Sequence, residues 1–145
     1  MSSRIFRKLL INIPPSINSG SRRKREYLRK IQPWLDSIDF VGFSKTDKLY
    51  GKIFYFNPET YTVRDIHNII KPIFDMLQGY VYDNDYQILF FEGIRLDMPK
   101  KNSGFEIELD YDATPDLHKV EEETCCLIEV GSLPPTESAV NVIWL

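Results

Sequence analysis

One amphipathic helical stretch, set between segments of strand-like alternation, constrains the fold of this 145-residue chain more than any other feature. Its apolar side chains recur at the 3.6-residue spacing of an α-helix and stop before Gly79, a residue type that commonly follows a helix C-terminus. These side chains are Ile66, Ile69, Ile70, Ile73, Phe74 and Leu77. Proline is accepted in the first turn of a helix, so Pro72 predicts a regular helix that begins near Asn68 or Ile69. Such a helix buries its apolar stripe against another layer of secondary structure.

Strand-like segments and a second helix supply that layer. Alternating or continuous apolar patterns predict strands over residues 7–13, 38–43, 50–56, 86–95, 104–111 and 125–130, and residues 139–145 form a terminal apolar run. Residues 21–37 are predicted to be a helix with one apolar stripe, in which Pro33 should produce a kink or an end. Residues 100–103 are expected to form the turn of a β-hairpin. The pattern predicts an α/β domain.

The charge is distributed unevenly along the chain. Residues 1–30 hold nine Lys or Arg and one Glu, whereas residues 102–145 hold one Lys and ten Asp or Glu. A basic segment beside acidic ones favours a nucleic-acid face or a charge match with another chain, although a solvated helix face is an alternative. The basic side chains on the predicted helix are Arg22, Arg23, Lys24, Arg25, Arg29 and Lys30.

The sequence shows little sign of export, membrane insertion or a structural metal. No apolar run approaches the roughly 18 residues of a membrane span, and the short run 9–13 ends at Pro14 and Pro15, which makes a poor signal peptide. We therefore expect a soluble, cytoplasmic protein. The two cysteines, Cys125 and Cys126, are adjacent and lack the spacing of a zinc site. We expect them to be buried or half-buried residues of a strand.

Three segments carry the motifs that bear on function. The first is a strand followed by a Pro-Ser-x-Asn turn, Ile11-Asn12-Ile13-Pro14-Pro15-Ser16-Ile17-Asn18. The second is an Asp that leads into a helix with a Lys and a later Asp, Arg64-Asp65-Ile66-His67-Asn68-Ile69-Ile70-Lys71-Pro72-Ile73-Phe74-Asp75-Met76-Leu77. The third is an acidic turn before a strand, Tyr82-Asp83-Asn84-Asp85-Tyr86-Gln87-Ile88. In this order, across about residues 9–110, they resemble the signature of the RusA family of Holliday-junction resolvases.

The resemblance implies a RusA-like fold, a mixed β-sheet with two main helices packed on it, and a homodimer that cuts branched DNA with Mg²⁺ or Mn²⁺. It assigns Asp65 and Asp85 as catalytic, metal-binding carboxylates and Lys71 as the lysine at the phosphate or transition state. Asn68 and Asp75 become supporting polar residues near the helix start. These residue types suit the chemistry, because carboxylate oxygens hold hard divalent cations and a lysine adds a positive charge beside a phosphate.

Two positions depart from the family pattern. His67 stands where the family has the second Asp of an Asp-x-Asp pair, and Asn84 stands where the later pair has its first Asp. As a third metal ligand, His67 would favour Mn²⁺, Zn²⁺ or Fe²⁺ over Mg²⁺. Each residue also has a plainer interpretation: Asp65 as a helix N-cap, His67 as a polar filler, Lys71 as a solvated helix residue, and residues 83–85 as a turn.

Three functions are compatible with these features. The first is a metal-dependent, structure-selective endodeoxyribonuclease, either active or impaired at His67. The second is a non-catalytic module of the same fold, such as an immunity or antitoxin protein that neutralises a basic nuclease toxin through the acidic residues 106–123. The third is a protein that binds DNA junctions without cutting them. The predicted RusA-like domain covers residues 1–112, and residues 113–145 are an acidic extension that could add a strand to it.

Overall fold

The computed structural model describes residues 5–11, 13–16, 18–40, 42–58, 65–98, 105–109, 124–133 and 140–144. Two helices lie in these segments, α1 (Ser21–Asp36) and α2 (His67–Leu77), together with a short 3₁₀ turn, Asp85–Gln87. The strands are β1 (Ile5–Leu10), β2 (Leu49–Pro58), β3 (Ile88–Met98), β4 (Phe105–Leu109), β5 (Cys125–Ser132) and β6 (Val140–Trp144). No helix in the described segments has the length and apolar character needed to cross a membrane.

Four strands form a mixed sheet in the order β1-β5-β2-β3. β2 and β3 are parallel, and a parallel pair needs a crossover connection, in which α2 lies. β5 runs antiparallel to both β1 and β2, so a strand from the C-terminal part of the chain occupies an inner position. The predicted mixed sheet with two main helices is therefore confirmed. β4 and β6 pair with each other in a separate antiparallel sheet.

The hydrophobic core lies between the two helices and one face of the sheet. α1 contributes Ile31 and Leu35 to this core, and α2 contributes Ile69, Ile73 and other buried side chains. α2 approaches the sheet closely at two glycines. A Cβ atom on Gly51 would lie 2.6 Å from the ring of Phe74, and one on Gly93 would lie 2.7 Å from Ile70. These glycines therefore allow α2 to pack directly over β2 and β3.

The prolines do not limit the helices as the sequence predicts. α1 continues past Pro33 to Asp36, and α2 begins at His67, which leaves Pro72 in its interior. A proline inside a helix costs roughly 3 kcal/mol, and the burial of both apolar stripes offsets that cost. The predicted stop of α2 is confirmed, because Gly79 has φ 91° and donates its N–H to the carbonyl of Tyr82 at 2.7 Å.

Two predictions about strands are wrong. In the predicted strand over residues 38–43, the described residues have no strand structure, although Phe43 is buried and its N–H donates to the carbonyl of Val81. The described strands of the predicted hairpin also do not pair with each other, because β3 pairs with β2 and β4 pairs with β6. The predicted turn over residues 100–103 lies outside the described residues. An apolar pattern shows that a segment is buried, but the pattern does not identify the strand with which it pairs.

The sheet face opposite α2 holds a polar cluster that is nearly inaccessible to water. The carboxylate of Glu129 is fully buried and accepts hydrogen bonds from Arg7 Nε at 2.8 Å and from the hydroxyl of Tyr50 at 2.9 Å. At its margin, Lys52 lies 3.8 Å from Glu92. Both cysteines are buried residues of β5, as predicted, and neither forms a disulfide.

Candidate active site

Asp65 and His67 form a pair where the chain enters α2. One carboxylate oxygen of Asp65 accepts the backbone N–H of His67 at 3.0 Å and lies 3.0 Å from the imidazole Nδ1. These hydrogen bonds hold the pKa of Asp65 below its usual value, and the charge of Arg95 acts in the same direction. Asp65 therefore carries a negative charge near neutral pH. It also bonds the first N–H of the helix, which is close to the N-cap role proposed as an alternative.

Lys71 and Asp75 lie one turn apart on the exposed side of α2. The ammonium of Lys71 donates to both carboxylate oxygens of Asp75, at 3.1 and 2.9 Å. This hydrogen bond raises the pKa of Lys71, and the negative charges of Asp75 and Asp85 raise it further. Lys71 therefore stays positively charged, and the two acidic residues near it are Asp75 and Asp85.

The 3₁₀ turn that carries Asp85 is built by the residues around it. The side chain of Asn84 accepts the N–H of Tyr86 at 2.9 Å, and the side chain of Gln87 accepts the N–H groups of Asp83 and Asn84. Gln87 also donates to the carbonyls of Ser44 and Asp47. Asn84, the second departure from the family pattern, thus has a clear structural role as the cap of this turn.

A cavity of about 210 Å³ brings the second and third motifs together. Lys71 and Asp75 line it from α2, Asp85 lines it from the 3₁₀ turn, and Phe91 lines it from β3. The predicted supporting residue Asn68 is half-buried in the first turn of α2 and donates its N–H to the carbonyl of Asp65 at 3.0 Å. Asp65 and His67 do not line this cavity. The predicted site residues therefore divide into a pair at the start of α2 and a group at the cavity, formed by Lys71, Asp75 and Asp85.

The side chains of this region do not by themselves form a complete metal site. Within the described residues, no group of three or more His, Cys, Asp or Glu side chains is arranged to hold a metal ion. Asp65 instead bonds His67. The assignment of Asp65, His67 and Asp85 as metal ligands stays a prediction.

The basic residues predicted to bind DNA are all exposed on α1. These residues are Arg22, Arg23, Lys24, Arg25, Arg29 and Lys30. Arg22 also forms an ion pair with Glu26 at 3.1 Å, one turn along the helix. The acidic surface of the alternative function, residues 106–123, lies outside the side chains that the structure describes.

Sequence reasoning assigned no role to three residues that shape the site. Gln87 is buried and organises the turn that carries Asp85, and its place at the third position after Asn84 is a capping-box signal. Phe91 and Arg95 lie on β3 and face α2. Their alternation indicates only a strand, so no local signal distinguishes them from other strand residues.

Comparison with known proteins agrees with the second and third motifs. The family model of endodeoxyribonuclease RusA matches residues 43–110, which include β2, α2, the 3₁₀ turn and β3. No sequence among the curated proteins matches this chain. The matched segment contains Asp65, His67, Lys71, Asp75 and Asp85. With its mixed sheet, its two helices and this match, the chain is similar to the RusA family over residues 43–110.

Proposed function

We propose that this protein is an endodeoxyribonuclease that acts on branched DNA. The main support for the proposal is the cavity lined by Lys71, Asp75 and Asp85. All three residues lie in the segment that the RusA family model matches. Two separate sequence motifs supply these residues, and the fold places them on one surface. The exposed cations of α1 offer a second, non-specific source of affinity for a phosphate backbone.

The described side chains suit parts of phosphodiester hydrolysis. Lys71 is held in its charged form, so it can neutralise a non-bridging phosphate oxygen as negative charge develops in the transition state. Asp75 keeps the ammonium in place before the substrate binds. The carboxylate of Asp65 orients the imidazole of His67 on the exposed side of the site. The resemblance implies a divalent cation and a homodimer, and both stay predictions.

The direct test is cleavage of a labelled four-way DNA junction by purified protein, with Mg²⁺ or Mn²⁺ and an EDTA control. We expect paired, symmetric nicks that EDTA abolishes and that the Asp65→Asn variant does not produce. A gel shift on the same junction measures binding separately. If neither cleavage nor a shift occurs at any salt concentration, the proposal is wrong, and a basic protein partner should then be sought by pull-down.

Replacing His67 by aspartate tests the first departure from the family pattern. The variant restores the Asp-x-Asp pair and adds a negative charge, which suits Mg²⁺ better than an imidazole does. We expect His67→Asp to increase Mg²⁺-dependent cleavage by about tenfold or more. Substitutions of the residues around a metal ion commonly change metal affinity or activity by this amount. His67→Asn is the matched control because it has the same size without the charge. An equal response of both variants, with the fold intact by circular dichroism, would contradict the prediction.

A further inference from the structure

Two neighbouring hollows form a groove beside α1, and one shared residue lies between this groove and the candidate active site. One of the hollows, a cavity of about 290 Å³, lies between α1 and α2 and has Pro15, Tyr27 and Asp75 among its lining residues. Pro15 and Tyr27 also line a second hollow further along α1. At the other end, Asp75 also lines the cavity that contains Lys71 and Asp85. The shared residues make the three hollows neighbours, with Asp75 between the groove and the cavity that contains Lys71.

The groove combines an apolar wall with a basic rim. Pro14, Pro15, Tyr27, Leu28 and Met76 supply the wall, and Leu28 is 48% exposed although it is apolar. Four of the six basic residues of α1 line the groove; these are Arg23, Lys24, Arg29 and Lys30. The other two, Arg22 and Arg25, do not line either hollow.

An unpaired nucleotide has the chemistry that this groove fits. A nucleobase has a flat face that stacks on aromatic and apolar side chains, and its phosphate pairs with cations beside it. In a paired duplex the base faces are stacked inside the helix, so a duplex cannot offer them to Tyr27. The cavity volume is close to the roughly 300 Å³ at the lower end of ligand-binding pockets. The excess of positive charge on the rim selects a polyanion over a neutral apolar ligand.

We propose that the groove between α1 and α2 binds an unpaired nucleotide of branched DNA, with its base against Tyr27 and its phosphate at Lys24, next to the cavity that contains Lys71. This inference rests on the proposed function and adds the feature of the substrate that is recognised. It also divides the cations of α1 into those that contact the strand and those that do not.

Two neighbouring residues give a matched pair of variants. Lys24 and Arg25 are adjacent on α1 and both are exposed, but only Lys24 lines the groove. We expect Lys24→Gln to weaken binding of a fluorescein-labelled oligo-dT strand by at least about fivefold, measured by anisotropy, and Arg25→Gln to weaken it by less than twofold. Losing a base-stacking contact costs about 5- to 150-fold in affinity. Phenylalanine keeps an aromatic ring and leucine does not, so Tyr27→Leu should lose more affinity than Tyr27→Phe.

A photo-crosslink locates the base directly. An oligo-dT strand that carries 5-iodouracil should crosslink to Tyr27 of the wild-type protein, as identified by mass spectrometry. Leu28→Glu places a negative charge in the groove at an exposed position, so it should abolish the crosslink while the protein stays folded by thermal melting. No binding of any DNA by the wild-type protein would overturn the proposed function and this inference together. Junction binding without a crosslink at Tyr27, and with equal losses in Lys24→Gln and Arg25→Gln, would overturn the inference alone.

Discussion

The Asp85→Asn variant is expected to lose junction cleavage by about 100-fold or more, the size of loss that removal of one electrostatic group from an active site produces, and to keep its affinity for the junction. Asparagine has nearly the same shape as aspartate but no charge. Asp85 lines the cavity with Lys71, and its charge contributes to the raised pKa of that lysine. The measurement is the single-turnover cleavage rate of a four-way junction beside a gel shift.

The fold should not depend on the carboxylate of Asp85, which makes the result interpretable. The side chains of Asn84 and Gln87 hold the turn, through bonds to backbone groups of that turn and of the segment before β2. Asp83→Asn is the matched control, because Asp83 is also exposed and lies two residues away but does not line the cavity. Unchanged cleavage in Asp85→Asn would remove Asp85 from the mechanism. Equal losses of cleavage in both variants would mean that cleavage depends on the total negative charge of the turn and not on Asp85 itself.

The largest expected effect on stability follows from removing the buried carboxylate of Glu129. Arg7 and Tyr50 both donate to this carboxylate on the inner strand β5. Glu129→Ala leaves a partly buried guanidinium without that partner, and breaking a buried pair in this way costs about 3–5 kcal/mol. We expect a loss of that size in the free energy of unfolding, measured by urea denaturation.

A second glutamate on the same face of the sheet serves as the control for Glu129. The side chain of Glu92 is 49% exposed, and its oxygen lies 3.8 Å from Lys52. Exposed pairs contribute about 0–1 kcal/mol, so Glu92→Ala should change the free energy of unfolding by less than about 1 kcal/mol. Glu129→Gln should fall between the two, because an amide oxygen can still accept the hydrogen bonds. Equal losses in Glu129→Ala and Glu92→Ala would contradict the assignment of Glu129 as a buried structural carboxylate.

Local patterns in the chain were sufficient to predict both helices and most of the strands. The apolar spacing from Ile66 to Leu77 and the glycine at position 79 identify α2, since helical periodicity and the C-terminal stop depend on neighbouring residues. The predicted helix over residues 21–37 agrees with α1 to one residue at its end. The residue types of the candidate site were also visible in the sequence, because Lys71, Asp75 and Asp85 stand in the order of the RusA signature that the chain resembles.

Tertiary structure decided how these pieces are arranged. The pairing of β3 with β2, and the place of β5 between β1 and β2, join residues far apart in the chain, and alternation in a strand does not specify its partner. The contact of Asp65 with His67 depends on the entry of the chain into α2. The groove lined by Tyr27 and Asp75 exists only because α1 and α2 lie side by side. Long-range packing therefore determines which of the predicted residues share a surface, and no local pattern contains that information.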